Sequence, residues 1–346
     1  MTDLTTFTPH RILVLQQRQI GDVLLTTPAM AALRHRYPDA EIHFLTEKKC
    51  ADMLLGNPDI NRLILLDKSA AKGIHAFAWY WSVARNGYDL VIDFQSLPRL
   101  KWITLFSGAT VRLAATTKRR SRLIYNAFPD SITPGYAAWD KVNLLSTLGV
   151  KPEYTPPRLY LTDQEIQNAK AFLQSLGRKD NAPFISVDVT HRRLTCKWPA
   201  SAFAEALELI HIAHPELKFF VFWGPGEQNQ AMEMVNALHP ETRDAVWLIP
   251  EVQSMRMIAA CIQQASVHFG NCSAPQHMAV AVGTPTCIVT GCTGPTWRCP
   301  APENIDVSAG LSCQYCQHNS CDRGIACLTS LSPQKVAQQV LTFLCK

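Results

Sequence analysis

The sequence predicts an α/β protein of two Rossmann-like domains, and three observations carry that expectation. Short apolar runs that read as buried parallel strands alternate with longer helix-like segments. The alternation stops at residues 151–158, which hold three prolines and read as a linker, and then restarts. The length of 346 residues is also comfortable for two cores. The expected division is residues 1–155, residues 156–332 and a C-terminal helix over 333–346, with the two domains facing one another across a cleft.

The first domain opens on residues 11–33. Residues 12–15 are an apolar run short enough for a buried strand, and a polar link over 16–19 leads to Ile20-Gly21-Asp22 and a helix pattern. A strand that feeds a helix through a glycine turn presents backbone N–H groups to an anion, and Asp22 stands at that mouth. On these residues alone, Asp22 as a helix cap is as good a reading as Asp22 as a reactive carboxylate. Further strands are expected over 41–46, 62–66, 88–94 and near Val111, with helices over 75–85, up to Phe106, and over 137–148.

In the second domain, Thr162-Asp163-Gln164-Glu165 has the form of a capping box opening a helix to about Leu176. Strands are expected over 184–189, 218–223, 245–249 and 286–290. A loop over 270–274 leads into a helix beginning near Pro275, and the last helix covers 333–344.

Composition narrows the function classes. Hydrophobic residues make up 47% and charged residues 18%, as in an ordinary globular protein. No apolar run approaches the ~20 residues that cross a bilayer, and residues 1–10 lack the apolar core of a signal peptide. A cytoplasmic location is therefore expected, where twelve cysteines read as thiols or metal ligands more readily than as disulfides. Of the net charge of +5, the first domain holds the positive share: 19 Lys and Arg against 13 Asp and Glu over residues 1–155. That balance suits an anionic partner.

Three patches resemble the glycosyltransferase family 9 proteins, the lipopolysaccharide heptosyltransferases. The first is ILVLQQRQIGDVLLTTPAM with the following Tyr37-Pro38. The second is Thr190-His191-Arg192-Arg193 with Lys197-Trp198-Pro199. The third is Gly270-Asn271-Cys272-Ser273-Ala274-Pro275-Gln276-His277-Met278, then Gly283-Thr284-Pro285 and Gly291-Cys292-Thr293. Weaker similarity over 88–93 and 122–126 joins them.

The resemblance implies the GT-B fold and inverting transfer of a heptose from ADP-heptose to a lipid-linked acceptor sugar of the lipopolysaccharide inner core. It implies Asp22 as the base that takes the acceptor hydroxyl's proton, and a helix N-terminus would keep that carboxylate ionised. Thr190, Lys197, Asn271, Ser273 and His277 become the donor-binding candidates, with Lys197 neutralising the leaving diphosphate. His277 reads equally as a structural histidine. No D-x-D sequence occurs in the chain, so no cofactor is expected for catalysis. The family's pattern is broken at three places: it usually has Asp where this chain has Cys272, Lys or Arg where it has Gln16, and an acidic residue at Gly294.

Two features lie outside the nucleotide-sugar patches. Cys313, Cys316, Cys321 and Cys327 form C-x2-C-x4-C-x5-C, a spacing that permits a structural zinc. Four thiolates would leave no open position for catalysis. Residues 118–122 are the densest basic cluster, and Arg99, Arg119, Arg120 and Arg122 are candidates to receive the phosphates or acidic sugars of the acceptor. A nucleic-acid partner is not expected, because aromatics are not interleaved with these basic residues.

The expected protein is thus a glycosyltransferase working at the inner face of the inner membrane as a peripheral protein. The alternatives are a family member using another nucleotide sugar and a non-catalytic GT-B protein that binds a glycan or nucleotide sugar. A dinucleotide oxidoreductase is excluded at the first loop, where Gly21 stands alone and G-x-G-x-x-G needs three glycines.

Overall fold

The computed structural model describes residues 4–66, 73–115, 119–129, 134–179 and 182–344. The chain divides into two compact units, Met1–Tyr160 and Leu161–Lys346.

The first unit is a five-stranded parallel sheet in the order β3-β2-β1-β4-β5. Its strands are β1 (Arg11–Leu15), β2 (Glu41–Glu47), β3 (Arg62–Leu66), β4 (Leu90–Asp93) and β5 (Val111–Ala114). Its helices are α1 (Ile20–Leu24), α2 (Thr27–Arg36), α3 (Gly73–Ala84), α4 (Pro98–Ser107) and α5 (Ala137–Leu144). Period-two alternation sends Leu13 and Leu15 of β1 to one face. There they join Leu45, Val91, Tyr80 and Leu100 in a core covered by α3 and α4.

The helix expected directly after Gly21 is two helices. Pro28 has no N–H to give the Leu24 carbonyl, which accepts from the Thr27 hydroxyl instead (2.9 Å), and the Thr26 hydroxyl bonds back to the Val23 carbonyl (2.6 Å). Proline at the start then suits α2, which needs no N–H there. The helix expected over 137–148 likewise ends early, its last turn tightening to a 3-10 helix at Leu145–Leu148 before Gly149 in the left-handed region.

The second unit is a six-stranded parallel sheet in the order β11-β10-β9-β6-β7-β8. In chain order it comprises α6 (Asp163–Ser175), β6 (Phe184–Asp188), α7 (Ala200–Ala213), β7 (Lys218–Val221), α8 (Gln228–Ala237), α9 (Pro240–Arg243), β8 (Val246–Leu248), α10 (Met255–Ile262), β9 (Val267–Asn271), α11 (Ala274–Ala281), β10 (Thr286–Val289), β11 (Asn304–Val307), α12 (Ala326–Thr329) and α13 (Pro333–Leu341). The capping box opens α6 as read: Thr162 Oγ1 accepts from the Glu165 N–H and Glu165 Oε2 from the Thr162 N–H. Glu165 also pairs with Arg256, which holds its carboxyl down near about 2. The C-terminal helix α13 packs on α7.

Two strands, β9 and β11, were not expected from the sequence. β9 reads Val-His-Phe-Gly-Asn and β11 Asn-Ile-Asp-Val, so neither is a clean apolar run. β9 is nevertheless buried along its whole length. Its glycine is what lets it lie beside β6: a Cβ on Gly270 would stand 2.7 Å from the Asp188 carbonyl oxygen. Gly270→Ala is therefore expected to cost about 1–3 kcal/mol by forcing the two central strands apart. A denaturant midpoint unchanged from wild type would contradict that packing.

Each sheet has one point where the strand order reverses, between β1 and β4 in the first unit and between β9 and β6 in the second. Open parallel sheets leave a crevice there, outside the carboxyl ends of the strands. The residues that carry the predicted chemistry follow those strands.

Candidate active-site residues

In the first unit, β1 delivers the chain to the loop over 16–19, and the loop is pinned from β4. Asp93, the last residue of β4, is fully buried and accepts hydrogen bonds from the Tyr125 hydroxyl (2.5 Å) and the N–H groups of Gln95 (3.0 Å) and Ser96 (2.7 Å). Burial pushes its carboxyl up to about 6. The turn so fixed aims Gln95 at the first loop, where its Oε1 accepts from the N–H groups of Gln17 (2.9 Å) and Arg18 (3.1 Å).

Asp22 then sits at the third position of α1. Its Oδ2 accepts from the Gln19 N–H at 3.1 Å, the return bond of a capping box. The cap reading and the reactive reading are thus compatible, since one oxygen caps while the half-buried carboxylate keeps the other. Lys141 of α5 feels the Asp22 charge: burial lowers its pKa, and Asp22 and Asp140 oppose the shift. Lys141 lies mid-helix with no sequence signal to mark it. Gln16 is buried and donates to the Arg18 carbonyl at 2.8 Å, so it stiffens the loop and brings no charge.

In the second unit, Asp188 closes β6 and gathers the candidates. The Ser273 hydroxyl donates to its Oδ2 at 2.5 Å, and the Thr190 N–H donates to its Oδ1 at 3.2 Å. The Thr190 hydroxyl lies 3.1 Å from Asp188 Oδ1 and 2.8 Å from Glu227 Oε2. One hydroxyl proton cannot serve two carboxylates, so the chain is satisfied when Asp188 is protonated and donates to Thr190, which donates to Glu227. Burial pushes Asp188 up to about 7, with the Glu227 charge acting the same way against the hydrogen bonds from Ser273 and Thr190.

Asn271 ties the same loops from below. Its Oδ1 accepts from the Trp198 N–H at 2.9 Å and its Nδ2 reaches the Thr190 carbonyl at 3.5 Å. With both ends engaged and no exposure, its side chain positions Thr190 and Lys197 instead of facing solvent. Lys197 lines a cavity of about 220 Å³ with Val189, Trp198, Gln230 and Glu233. His277 is buried in α11, its ring 6.1 Å from that of Trp297. Cys272 is buried too, and burial pushes its thiol up to about 12, so it supplies no charge to the loop.

Asp188 and Glu227 were missed in the sequence. Each had a signal: Asp188 is the one charged residue of the strand expected over 184–189, and Glu227 closes the Gly224-Pro225-Gly226 turn that follows another. A pH test follows for Asp188. Its folded pKa lies above its unfolded value, so the folded state binds the extra proton between about pH 4 and pH 7 and loses stability as pH rises through that window. Asp188→Asn carries no charge and keeps an oxygen for the Ser273 hydroxyl and an N–H for the Thr190 hydroxyl, giving up only the bond from the Thr190 N–H. The variant is expected to gain stability over wild type at pH 8 and to lose that advantage at pH 5, as read by denaturant midpoints. Parallel profiles for the two proteins would contradict the assignment.

Arg99 is exposed on α4, and Arg119, Arg120 and Arg122 belong to a 3-10 helix at Arg119–Leu123. Arg120 and Arg122 are exposed, and Arg122 lies over the Phe128 ring at 5.7 Å. Lys118 falls outside the described residues.

The cysteine segment is tied to the donor-side loop. Arg193 donates to the carbonyls of Gln317 (3.2 Å) and His318 (3.0 Å), and the Thr195 hydroxyl donates to His318 O at 2.9 Å. The eleven described cysteines are free of disulfides. Burial raises the Cys327 pKa, and Cys321, Cys313 and Cys316 lie near enough to raise it further. Among the described residues, however, no three side chains converge as a metal-holding set. Thiols are donors of the kind a structural zinc takes.

Two parallel-sheet α/β units, each with polar residues at the sheet's reversal point, are the architecture of the GT-B fold. Glycosyltransferase family 9 (heptosyltransferase) matches residues 78–325, and the chain belongs to that family. It is 25% identical over 295 residues to lipopolysaccharide heptosyltransferase 3 of Escherichia coli (strain K12), covering 83% of this chain and 84% of that one. Its fold is similar to the glycosyl transferase family 9 structure from Veillonella parvula, with a TM-score of 0.85, 21% identity and 97% of each chain covered. It is similar as well to the E. coli heptosyltransferase WaaC solved with ADP, with a TM-score of 0.71, 19% identity and coverage of 96% and 99%.

Proposed function

We propose that this glycosyltransferase moves a heptose from ADP-heptose to the lipopolysaccharide inner core, with inversion and without a catalytic metal. Asp22 takes the proton of the acceptor hydroxyl as that oxygen attacks the anomeric carbon. The bond from that carbon to the diphosphate breaks, and ADP leaves with the added charge. Lys197 stabilises that charge, while Asn271 and the Asp188 network, to which the Thr190 and Ser273 hydroxyls give their protons, hold the loops around it. Arg99, Arg119, Arg120 and Arg122 receive the anionic acceptor, and the reaction takes place at the cytoplasmic face of the inner membrane.

The observation that supports the reading is that Asp22 follows β1 at the first sheet's reversal point, and Thr190 and Lys197 follow β6 at the second's, in a member of a heptosyltransferase family. A second reading, another nucleotide sugar as donor, draws support from Cys272, whose neutral thiol replaces a charge usual in relatives. The two are separated by offering ADP-heptose, ADP-glucose, UDP-glucose and GDP-mannose with a lipid A–core acceptor and following nucleoside diphosphate release. Turnover with ADP-heptose above the others is expected, and preference for a different donor would favour the second reading. Binding of a donor without turnover would leave the non-catalytic alternative. Activity is expected to survive EDTA within about a factor of two, because the charge on the leaving group is met by side chains. Loss on chelation, restored by a divalent cation, would contradict the metal-free mechanism.

A further inference from the structure

Helices α3 and α4 carry an aromatic ridge that the chemistry above does not use. Phe77 and Trp81 are one turn apart on α3, and Trp102 and Phe106 are one turn apart on α4. The rings interlock across the helix pair: Phe77 lies edge-on to Trp102 at 5.4 Å, Trp81 meets Phe106 at 5.3 Å, and Trp102 stacks on Phe106 at 5.6 Å. The ridge remains open to solvent, with Phe77 46%, Trp81 52%, Trp102 41% and Leu105 42% exposed. Contiguous apolar surface of this kind marks an interaction site, and isolated exposed residues do not.

Charge decides what the ridge fits. Neither α3 nor α4 contains an aspartate or glutamate. Arg85 lies over the Trp81 ring at 5.3 Å, and Arg99, exposed, is one turn from Trp102 on the same side of α4. A second copy of this chain would set arginines against arginines across a two-fold axis, with no carboxylate on these helices to answer them. An anionic bilayer answers both features. Indole and phenyl rings favour the headgroup boundary, and the guanidinium groups meet lipid phosphates. No helix among the described residues is long and apolar enough to cross a membrane, so the contact would be one of seating on the surface.

We propose that the α3–α4 ridge, with Phe77, Trp81, Trp102 and Leu105 as its apolar contacts and Arg85 and Arg99 as its cations, is the surface by which this protein docks on anionic phospholipid bilayers. The proposal rests on the proposed lipid-linked acceptor only for its purpose, and its test needs neither donor nor acceptor. The purified chain is sedimented with vesicles of phosphatidylethanolamine and phosphatidylglycerol in a three-to-one mixture, and with pure phosphatidylcholine vesicles. Wild type is expected to partition onto the anionic vesicles with a blue shift of tryptophan emission. Trp81→Ser/Trp102→Ser is expected to lower the partition coefficient about tenfold or more, with a thermal midpoint near that of wild type. Arg85→Glu, which leaves the rings in place, is expected to weaken binding to the anionic vesicles and leave the trace on phosphatidylcholine unchanged.

Three outcomes would overturn the proposal. One is wild type that stays in the supernatant with anionic vesicles. Another is a folded double variant that binds as wild type does. The third is a wild-type dimer in sedimentation velocity that the double variant dissolves, which would make a second copy the occupant. Nucleoside diphosphate release with a delipidated core oligosaccharide, measured on the same variants, keeps this result separate from the proposed reaction. Transfer without vesicle binding sinks the docking surface alone, and vesicle binding without transfer sinks the proposed function alone.

Discussion

Asp22→Asn is expected to lower kcat for heptosyl transfer by about 10²–10⁴-fold, with donor affinity little changed. The amide keeps an oxygen that can accept from the Gln19 N–H, so the cap of α1 survives and the fold is not the variable. What is lost is the only function an amide cannot perform, taking the acceptor's proton as the new bond forms. Asp22→Ala removes the cap as well, and should cost a further ~0.5–2 kcal/mol of stability that the asparagine variant does not show. The comparison separates the two roles that the sequence left in balance. A pre-steady-state rate for Asp22→Asn within a few-fold of wild type would assign the residue to capping alone.

Lys197→Met carries the second large effect, a fall in kcat of about 10²–10³-fold, equivalent to ~2.7–4 kcal/mol of transition-state stabilisation. Methionine keeps most of the apolar stem beside Trp198 and removes the cation. The charge on the leaving diphosphate grows as the donor bond breaks, so the loss should appear more strongly in kcat than in ADP affinity. Lys197→Arg restores charge but not geometry, since a planar fork replaces a compact ammonium, and partial activity is expected. Equal losses in ADP affinity and in turnover would make Lys197 a ground-state binder instead.

How much of this was legible in the sequence depended on whether the feature was local. The strand–loop–helix unit around Asp22 could be read because its apolar run, glycine and aspartate are consecutive, and the capping box at Thr162 and Glu165 for the same reason. The break between α1 and α2 was also local, written in Thr26-Thr27-Pro28, and was passed over because the apolar pattern continues through it. β9 was hidden by its composition. A histidine and a glycine interrupt the run, yet the glycine is what allows the strand to lie against Asp188. The network of Asp188, Thr190, Ser273 and Glu227 joins positions up to 85 residues apart, and only the order of the strands brings them to one place. Asn271 was read as a donor contact because it lies in the right loop, whereas both ends of its side chain are spent on holding the neighbouring loop. The ridge on α3 and α4 was visible only as two expected helices, because exposure is a property of packing and not of the sequence.

The most direct measurement is ADP release from ADP-heptose with a heptose-deficient lipid A–core acceptor in EDTA, for wild type and Asp22→Asn side by side. Acceptor-dependent release by wild type and its near-abolition in the variant, with both proteins binding ADP equally, is the predicted result. Equal release by the two proteins, or none by wild type with any acceptor, would contradict transfer by Asp22.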